Sequence, residues 1–187
     1  MPLYKTSKEE ILVKAATVFR EKGYFHTSIK DLADACGLKK PHFYYYFSNK
    51  EELMQEVLLY VDRLMEKYVC ELAYDESHPP INRLKKMLSR MNQFYLNGAG
   101  GCIFANTILE TSNAEENFRP IIKATFDKWA KALQFVLQSE YEADKAKKLA
   151  FSIIQDMEGG LMMYQLYADE AFMKMAEERS ISLLKTE

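Results

Sequence analysis

The chain has 187 residues, 48% of them hydrophobic and 28% charged, and its 25 Lys and Arg against 27 Asp and Glu give a formal net charge of −2. That length holds a sizeable core and that composition is globular, which excludes a disordered chain. No apolar run reaches the ~18 residues a bilayer span needs, Met1-Pro2-Leu3-Tyr4-Lys5 lacks the apolar stretch of a signal peptide, and Cys36, Cys70 and Cys102 are too few and too scattered for a disulfide framework, so a cytoplasmic protein is expected.

Helical spacing dominates from end to end, and no two-residue alternation appears. Thr6 with Glu9 and Ser7 with Glu10 form overlapping capping boxes. Ile11, Ala15, Val18 and Phe19 follow at helical spacing, and Gly23 stops the helix, which is expected over 7–22. Ser28 with Asp31 opens a second helix that ends at Gly37. A third short helix is expected over 40–47, with Pro41 in its first turn. Ser48 or Asn49 caps a long helix over 50–73, closed by Asp75-Glu76-Ser77-His78-Pro79-Pro80. Further helices are expected over 81–96, 102–111, 114–139 (Pro120 in an early turn or at a kink), 143–167 and 170–184. Asn97-Gly98-Ala99-Gly100-Gly101 is the one glycine-dense loop. The fold class is all-α, with about nine helices.

Charge is unevenly spread. Residues 1–50 hold nine basic and five acidic residues, and residues 51–187 hold 16 basic and 22 acidic. Two domains are expected, 1–50 and 51–187, with different partners. Residues 28–47 form short helix, Gly-containing turn, short helix, the arrangement of a helix-turn-helix. Phe43 and Phe47, four apart, face the core, which leaves Lys40, His42 and Tyr45 pointing outward. Three consecutive tyrosines, Tyr44 to Tyr46, offer flat bodies and hydroxyl donors that suit the sugar-phosphate backbone. For each tyrosine alone, packing is the competing explanation.

The stretches Ile11-Leu12-Val13-Lys14-Ala15-Ala16-Thr17-Val18-Phe19, Lys22-Gly23-Tyr24, Thr27-Ser28-Ile29-Lys30-Asp31-Leu32-Ala33, Gly37-Leu38, Tyr44-Tyr45-Tyr46-Phe47 and Lys50-Glu51-Glu52-Leu53 resemble the DNA-binding domain of the TetR family of transcriptional regulators, over about fifty residues in order. The resemblance implies three helices for DNA, a larger helical domain for a ligand, and a homodimer built on the last two helices. It assigns phosphate contact to Thr27, Ser28, Tyr44, Tyr46 and Lys50, and base reading to Lys40, Pro41, His42 and Tyr45. Two departures stand out. Lys39 replaces the usual Ser or Thr before the recognition helix and cannot cap it, although it could reach a phosphate. Pro41-His42-Phe43 replaces a small-small-aliphatic run. The implied function is a repressor that leaves a palindromic, double-stranded operator when a small-molecule effector binds.

Beyond residue 58 the chain is rich in methionine and aromatic residues, which suits a ligand pocket. Met91, Phe94, Phe104, Asn106 and Trp129 are candidate lining residues, with ordinary core as the alternative for each. Cys102, at a helix N-terminus after two glycines, is a candidate thiol sensor of electrophiles or oxidants, or else a packed small residue. In the last two helices Phe151, Ile154, Met157, Leu161, Tyr164, Phe172 and Met175 recur at three and four and are candidates for the dimer interface. The rival is packing inside one protomer. No phosphate-binding glycine loop, no Cys-x-x-Cys and no His-Glu zinc pattern occurs, so no catalytic residue, metal or cofactor is expected. A helical interaction protein without DNA binding is the remaining alternative.

Overall fold

A computed structural model describes residues 7–96, 100–112 and 116–184. Among these residues there are nine α-helices and no strand: α1 (Lys8–Lys22), α2 (Ile29–Cys36), α3 (Lys40–Phe43), α4 (Lys50–Tyr68), α5 (Pro80–Leu96), α6 (Ile103–Thr111), α7 (Arg119–Leu137), α8 (Ala143–Tyr167) and α9 (Ala171–Ile181). Short 3-10 turns occupy Cys70–Tyr74 and Glu116–Phe118. The Thr6–Glu9 capping box, the Asn97–Ala99 part of the glycine loop and a helix start at Ala114 lie outside the described residues.

The local signals act where they stand. Ser7 caps α1, its hydroxyl accepting from Glu10 N at 3.1 Å while Ser7 N donates to the Glu10 carboxylate at 2.8 Å. Gly37 ends α2 in the left-handed conformation at φ 68, and Leu38 N then donates to Ala33 O. Asn49 Oδ1 accepts from Glu52 N at 2.8 Å to start α4, and Ser48 N donates back to Glu52. The expected ends run long at four places, where the last turn tightens to i→i−3 bonds; one is α7, which stops at Leu137 before Ser139 N→Val136 O. Helix α3 stops at Phe43, followed by Tyr45 N→His42 O and Tyr46 N→Phe43 O. Helix α4 gives way to the 70–74 turn, and α9 stops at Ile181 before Leu183 N→Ser180 O. Pro120 is the second residue of α7, where its missing N–H costs nothing.

The chain divides into two compact units, and they do not follow its order. The first joins residues 1–61 to residues 98–122. Its core is built from Ile11, Leu12, Ala15 and Phe19 of α1, Leu32 and Ala33 of α2, Phe43 and Phe47, and Leu53 and Val57 of α4. Helix α6 packs on α1 here. The second unit, residues 62–97 and 123–187, has its core on Leu84, Met87 and Leu88 of α5, Leu133 and Val136 of α7, and Ile153 and Met157 of α8. Helices α8 and α9 pack closely. A Cβ on Gly160 would lie 3.1 Å from Ala176 Cβ and from Phe172 O.

Candidate nucleic-acid interface

The first unit presents a short helix whose two faces differ sharply. Phe43 and Phe47 are fully buried, their ring centroids 5.9 Å apart, and they anchor α3 to the core. Lys39, Lys40, Pro41, His42, Tyr44 and Tyr45 are exposed, Tyr45 to 86%, and Tyr46 is half-buried with its ring edge-on to Tyr45. Lys39 is the N-cap residue of α3 and makes no side-chain cap, which leaves its ammonium outward.

Pairing separates the basic residues of this unit. Lys8 meets Glu56 at 3.3 Å, Lys22 meets Asp31 at 2.6 Å, and Arg20 Nε donates to Gly101 O at 2.9 Å. Lys39 and Lys40 make no ion pair among the described residues. Lys14 and Lys30, also exposed, make none either, so uncompensated positive charge sits on α1, on α2 and on the exposed side of α3, the last being where the resemblance places base contact.

Ser28 caps α2 through a full capping box. Asp31 N donates to Ser28 Oγ at 3.1 Å, Ser28 N donates to Asp31 Oδ2 at 2.9 Å, and Ser28 Oγ also bonds the Asp31 carboxylate. The hydrogen bond from the Lys22 ammonium, then those from Ser28, hold the Asp31 carboxyl well below the usual carboxylate range. Thr27 differs from expectation. It is 1% exposed, and its hydroxyl donates to Gly23 O at 2.6 Å, so it closes the turn instead of offering its side chain to a phosphate. Lys50 also has an internal task. Its Nζ donates to Tyr24 O at 2.8 Å and Thr27 O at 3.0 Å and lies 4.3 Å from the Tyr24 ring centroid.

Glu110 escaped the sequence reading. Its carboxylate accepts from Tyr24 N and Phe25 N, both at 2.7 Å, and so ties α6 to the turn after α1. The one signal for it is that Glu110 is the only charged residue in Ile103–Thr111. The loop before α6 is fixed as tightly. Gly100 has φ +91, and a Cβ there would lie 1.9 Å from Arg20 O. Asn106, an expected pocket residue, donates its Nδ2 to Gly100 O.

Of the other pocket candidates, Phe104 is buried in the first unit, Met91 and Trp129 are buried in the second, and Phe94 is half-buried there. The Trp129 indole N–H and Asn92 Oδ1 are buried without a hydrogen-bond partner among the described residues. All three cysteines are buried thiols. Burial, then Glu66, pushes Cys70 up to about 12, and burial also raises Cys36. Cys102 is the N-cap of α6, its Sγ accepting from Ala105 N at 3.5 Å. It lies within electrostatic reach of Arg20, whose pKa burial lowers and Cys102 and Glu21 partly restore.

The dimer candidates divide. Ile154, Met157 and Leu161 are buried within the protomer, so the regular stripe along α8 is its own core face and not a surface for a second chain. Phe151 and Met175 are exposed, and Tyr164 and Phe172 are half-buried. They are joined on the surface by Met162, Leu166 and Tyr167, exposed to 59–69%. A groove of 190 Å³ between α8 and α9 is lined by Gly159, Met162, Met163, Phe172, Met175 and Arg179. No helix among the described residues is long and apolar enough to cross a membrane.

The family model described as bacterial regulatory proteins, tetR family, matches residues 11–57, and that of the transcriptional regulator LmrA/YxaF-like C-terminal domain matches residues 80–179. An uncharacterised HTH-type transcriptional regulator in the lacX 3' region of Lactococcus lactis subsp. lactis is 28% identical over 190 residues, 97% of this chain and 93% of the relative. The HTH-type transcriptional repressor DhaR of Mycobacterium sp. (strain GP1) is 25% identical over 150 residues, 80% of this chain and 75% of the relative. A TetR transcriptional regulator from Legionella pneumophila has the same fold, with a TM-score of 0.89 over 98% of this chain and 100% of that one, at 22% identity.

Proposed function

Because the chain belongs to the TetR family of bacterial helix-turn-helix transcriptional regulators, with an LmrA/YxaF-like C-terminal domain, we propose that it is a repressor that binds a palindromic operator as a homodimer and leaves it when a small-molecule effector binds. It acts by binding, not by catalysis. The observation that carries this reading is the solvent face of α3, with two uncompensated lysines, His42 and two exposed tyrosines held over the buried pair Phe43 and Phe47. Lys40, Pro41, His42 and Tyr45 read base edges, while Ser28, Lys39, Tyr44 and Tyr46 contact phosphate. Lys50 is engaged with carbonyls and contributes chiefly by holding the turn before α2. The exposed apolar surface of α8 and α9 pairs with its copy as a four-helix bundle. Two α3 helices then meet the duplex about one helical turn, or a multiple of it, apart, at roughly 34–36 Å per turn. An effector in the C-terminal domain lowers operator affinity by as much as it prefers the released conformation. DhaR's description as a repressor supports the sign.

Selection of DNA from a random pool with the full chain tests this reading. It should enrich an inverted repeat, and screening small molecules against that complex should find one that releases it. Failure to enrich any sequence would remove the reading.

A second reading, a thiol-sensing regulator, is favoured by one observation. Of the three thiols, Cys102 alone caps a helix, its Sγ accepting from Ala105 N, and lies within electrostatic reach of a guanidinium. N-ethylmaleimide should then weaken operator binding by the wild type and leave Cys102→Ser unaffected. Equal loss in both proteins would assign Cys102 to packing.

A further inference from the structure

The Gly23–Thr27 turn between α1 and α2 is gripped on both of its polar edges, within the first unit. A carboxylate takes its amides, since Tyr24 N and Phe25 N each donate to Glu110 at 2.7 Å. An ammonium takes its carbonyls, since Lys50 Nζ donates to Tyr24 O and Thr27 O. Gly23 leaves the room for this. It sits at φ +78, and a Cβ on it would lie 2.8 Å from Glu110 Oε2. Charge-assisted bonds to backbone amides are among the stronger hydrogen bonds in a protein. The turn leads directly into Ser28, the N-cap of α2, and α2 packs on α3.

An acidic side chain in this unit has an electrostatic cost for binding a polyanion. Its presence calls for a compensating role, and the geometry supplies one. We propose that Glu110 is a positioning residue for operator binding: with Lys50 opposing it, Glu110 sets the Gly23–Thr27 turn and thereby the placement of Ser28 and α3 against the duplex. Glu110 touches no DNA and acts through the turn. The proposal rests on the reading of the chain as an operator-binding protein.

The direction of one substitution separates this role from its rivals. Operator DNA is first selected from a random pool with the full-length wild-type chain. Glu110→Gln keeps the side-chain shape and removes a negative charge, so electrostatics alone would tighten binding. Positioning predicts the reverse, about tenfold weaker binding from the loss of a charge-assisted bond. It also predicts faster hydrogen exchange at the Tyr24 and Phe25 amides. The slope of affinity against salt stays unchanged, because no phosphate contact is lost. Glu110→Asp keeps the charge but shortens its reach, and it should weaken binding too. That variant decides the matter if circular dichroism shows the Gln variant to be unfolded. Binding by Glu110→Gln or Glu110→Asp as tight as wild type, with both amides still protected, overturns the proposal. A wild-type chain that enriches no sequence overturns instead the function on which it rests.

Discussion

Gly100→Ala is expected to destabilise the protein by at least about 3 kcal/mol, because a left-handed residue without glycine's freedom is combined with a backbone collision. At φ +91 a side chain is strained before any neighbour is considered. The added Cβ would then lie 1.9 Å from Arg20 O and 2.3 Å from Arg20 C, and neither atom can swing aside as a side-chain tip can. Relieving the clash separates α1 from the start of α6. That breaks the Arg20 Nε bond to Gly101 O. For a chain of this size the melting temperature should fall by roughly 6–12 °C. Gly37→Ala is the matched control. Its φ is also positive, at +68, but nothing lies within 4 Å of the added Cβ. It should cost only about 1 kcal/mol for the left-handed conformation. Thermal melts of the two variants compare them directly. Equal melting temperatures would mean that the loop yields without penalty.

The second large effect is expected on α3, in affinity and not in stability. Tyr45 is 86% exposed, and Lys40 makes no ion pair among the described residues, so alanine at either position leaves the core intact. Each substitution should weaken operator binding by at least about 10- to 100-fold, the size of one specific base contact, with the loss in the second subunit adding to it. Melting temperature should change little. Salt titration then sorts the contacts. A residue on phosphate lowers the slope of log affinity against log salt by about one for each contact removed, whereas a residue on a base edge leaves the slope and relaxes the preferred sequence. Gel-shift measurements across a salt series give both quantities. Unchanged affinity in Lys40→Ala and Tyr45→Ala would displace the interface from α3.

Local chemistry was legible in the sequence wherever cause and effect lie within one helical turn. The Ser28–Asp31 box, the stop at Gly37 and the whole of α8, Ala143–Tyr167, are found where spacing and caps put them. The buried pair Phe43 and Phe47 and the exposed run beside it also follow from spacing alone. Long-range pairing was not legible. Glu110 and the Tyr24 amide are 86 positions apart, and no periodicity connects them. The resemblance assigns Thr27 a phosphate contact beside Ser28, yet only the fold reveals that it turns inward to Gly23 O. The stripe Ile154, Met157 and Leu161 shows the limit of apolar periodicity. Such a stripe marks the face a helix buries most fully, and in α8 that face meets its own protomer. The surface available to a second chain is the less regular set of Phe151, Met162, Leu166, Tyr167 and Met175, of which periodicity selects Phe151 and Met175 and misses the other three.

The interleaving of the first unit bears on how such proteins can be recombined. Family matches at 11–57 and 80–179 suggest two exchangeable modules with a seam between them. The compact unit that carries α3 nevertheless includes residues 98–122, which lie inside the second match. A chimera joined anywhere between 58 and 79 would import a foreign α6 and with it a foreign residue opposite the Tyr24 and Phe25 amides. Grafting this chain's DNA specificity onto another sensor therefore requires a discontinuous transplant, in which Gly100, Gly101 and Glu110 travel with the N-terminal helices they hold.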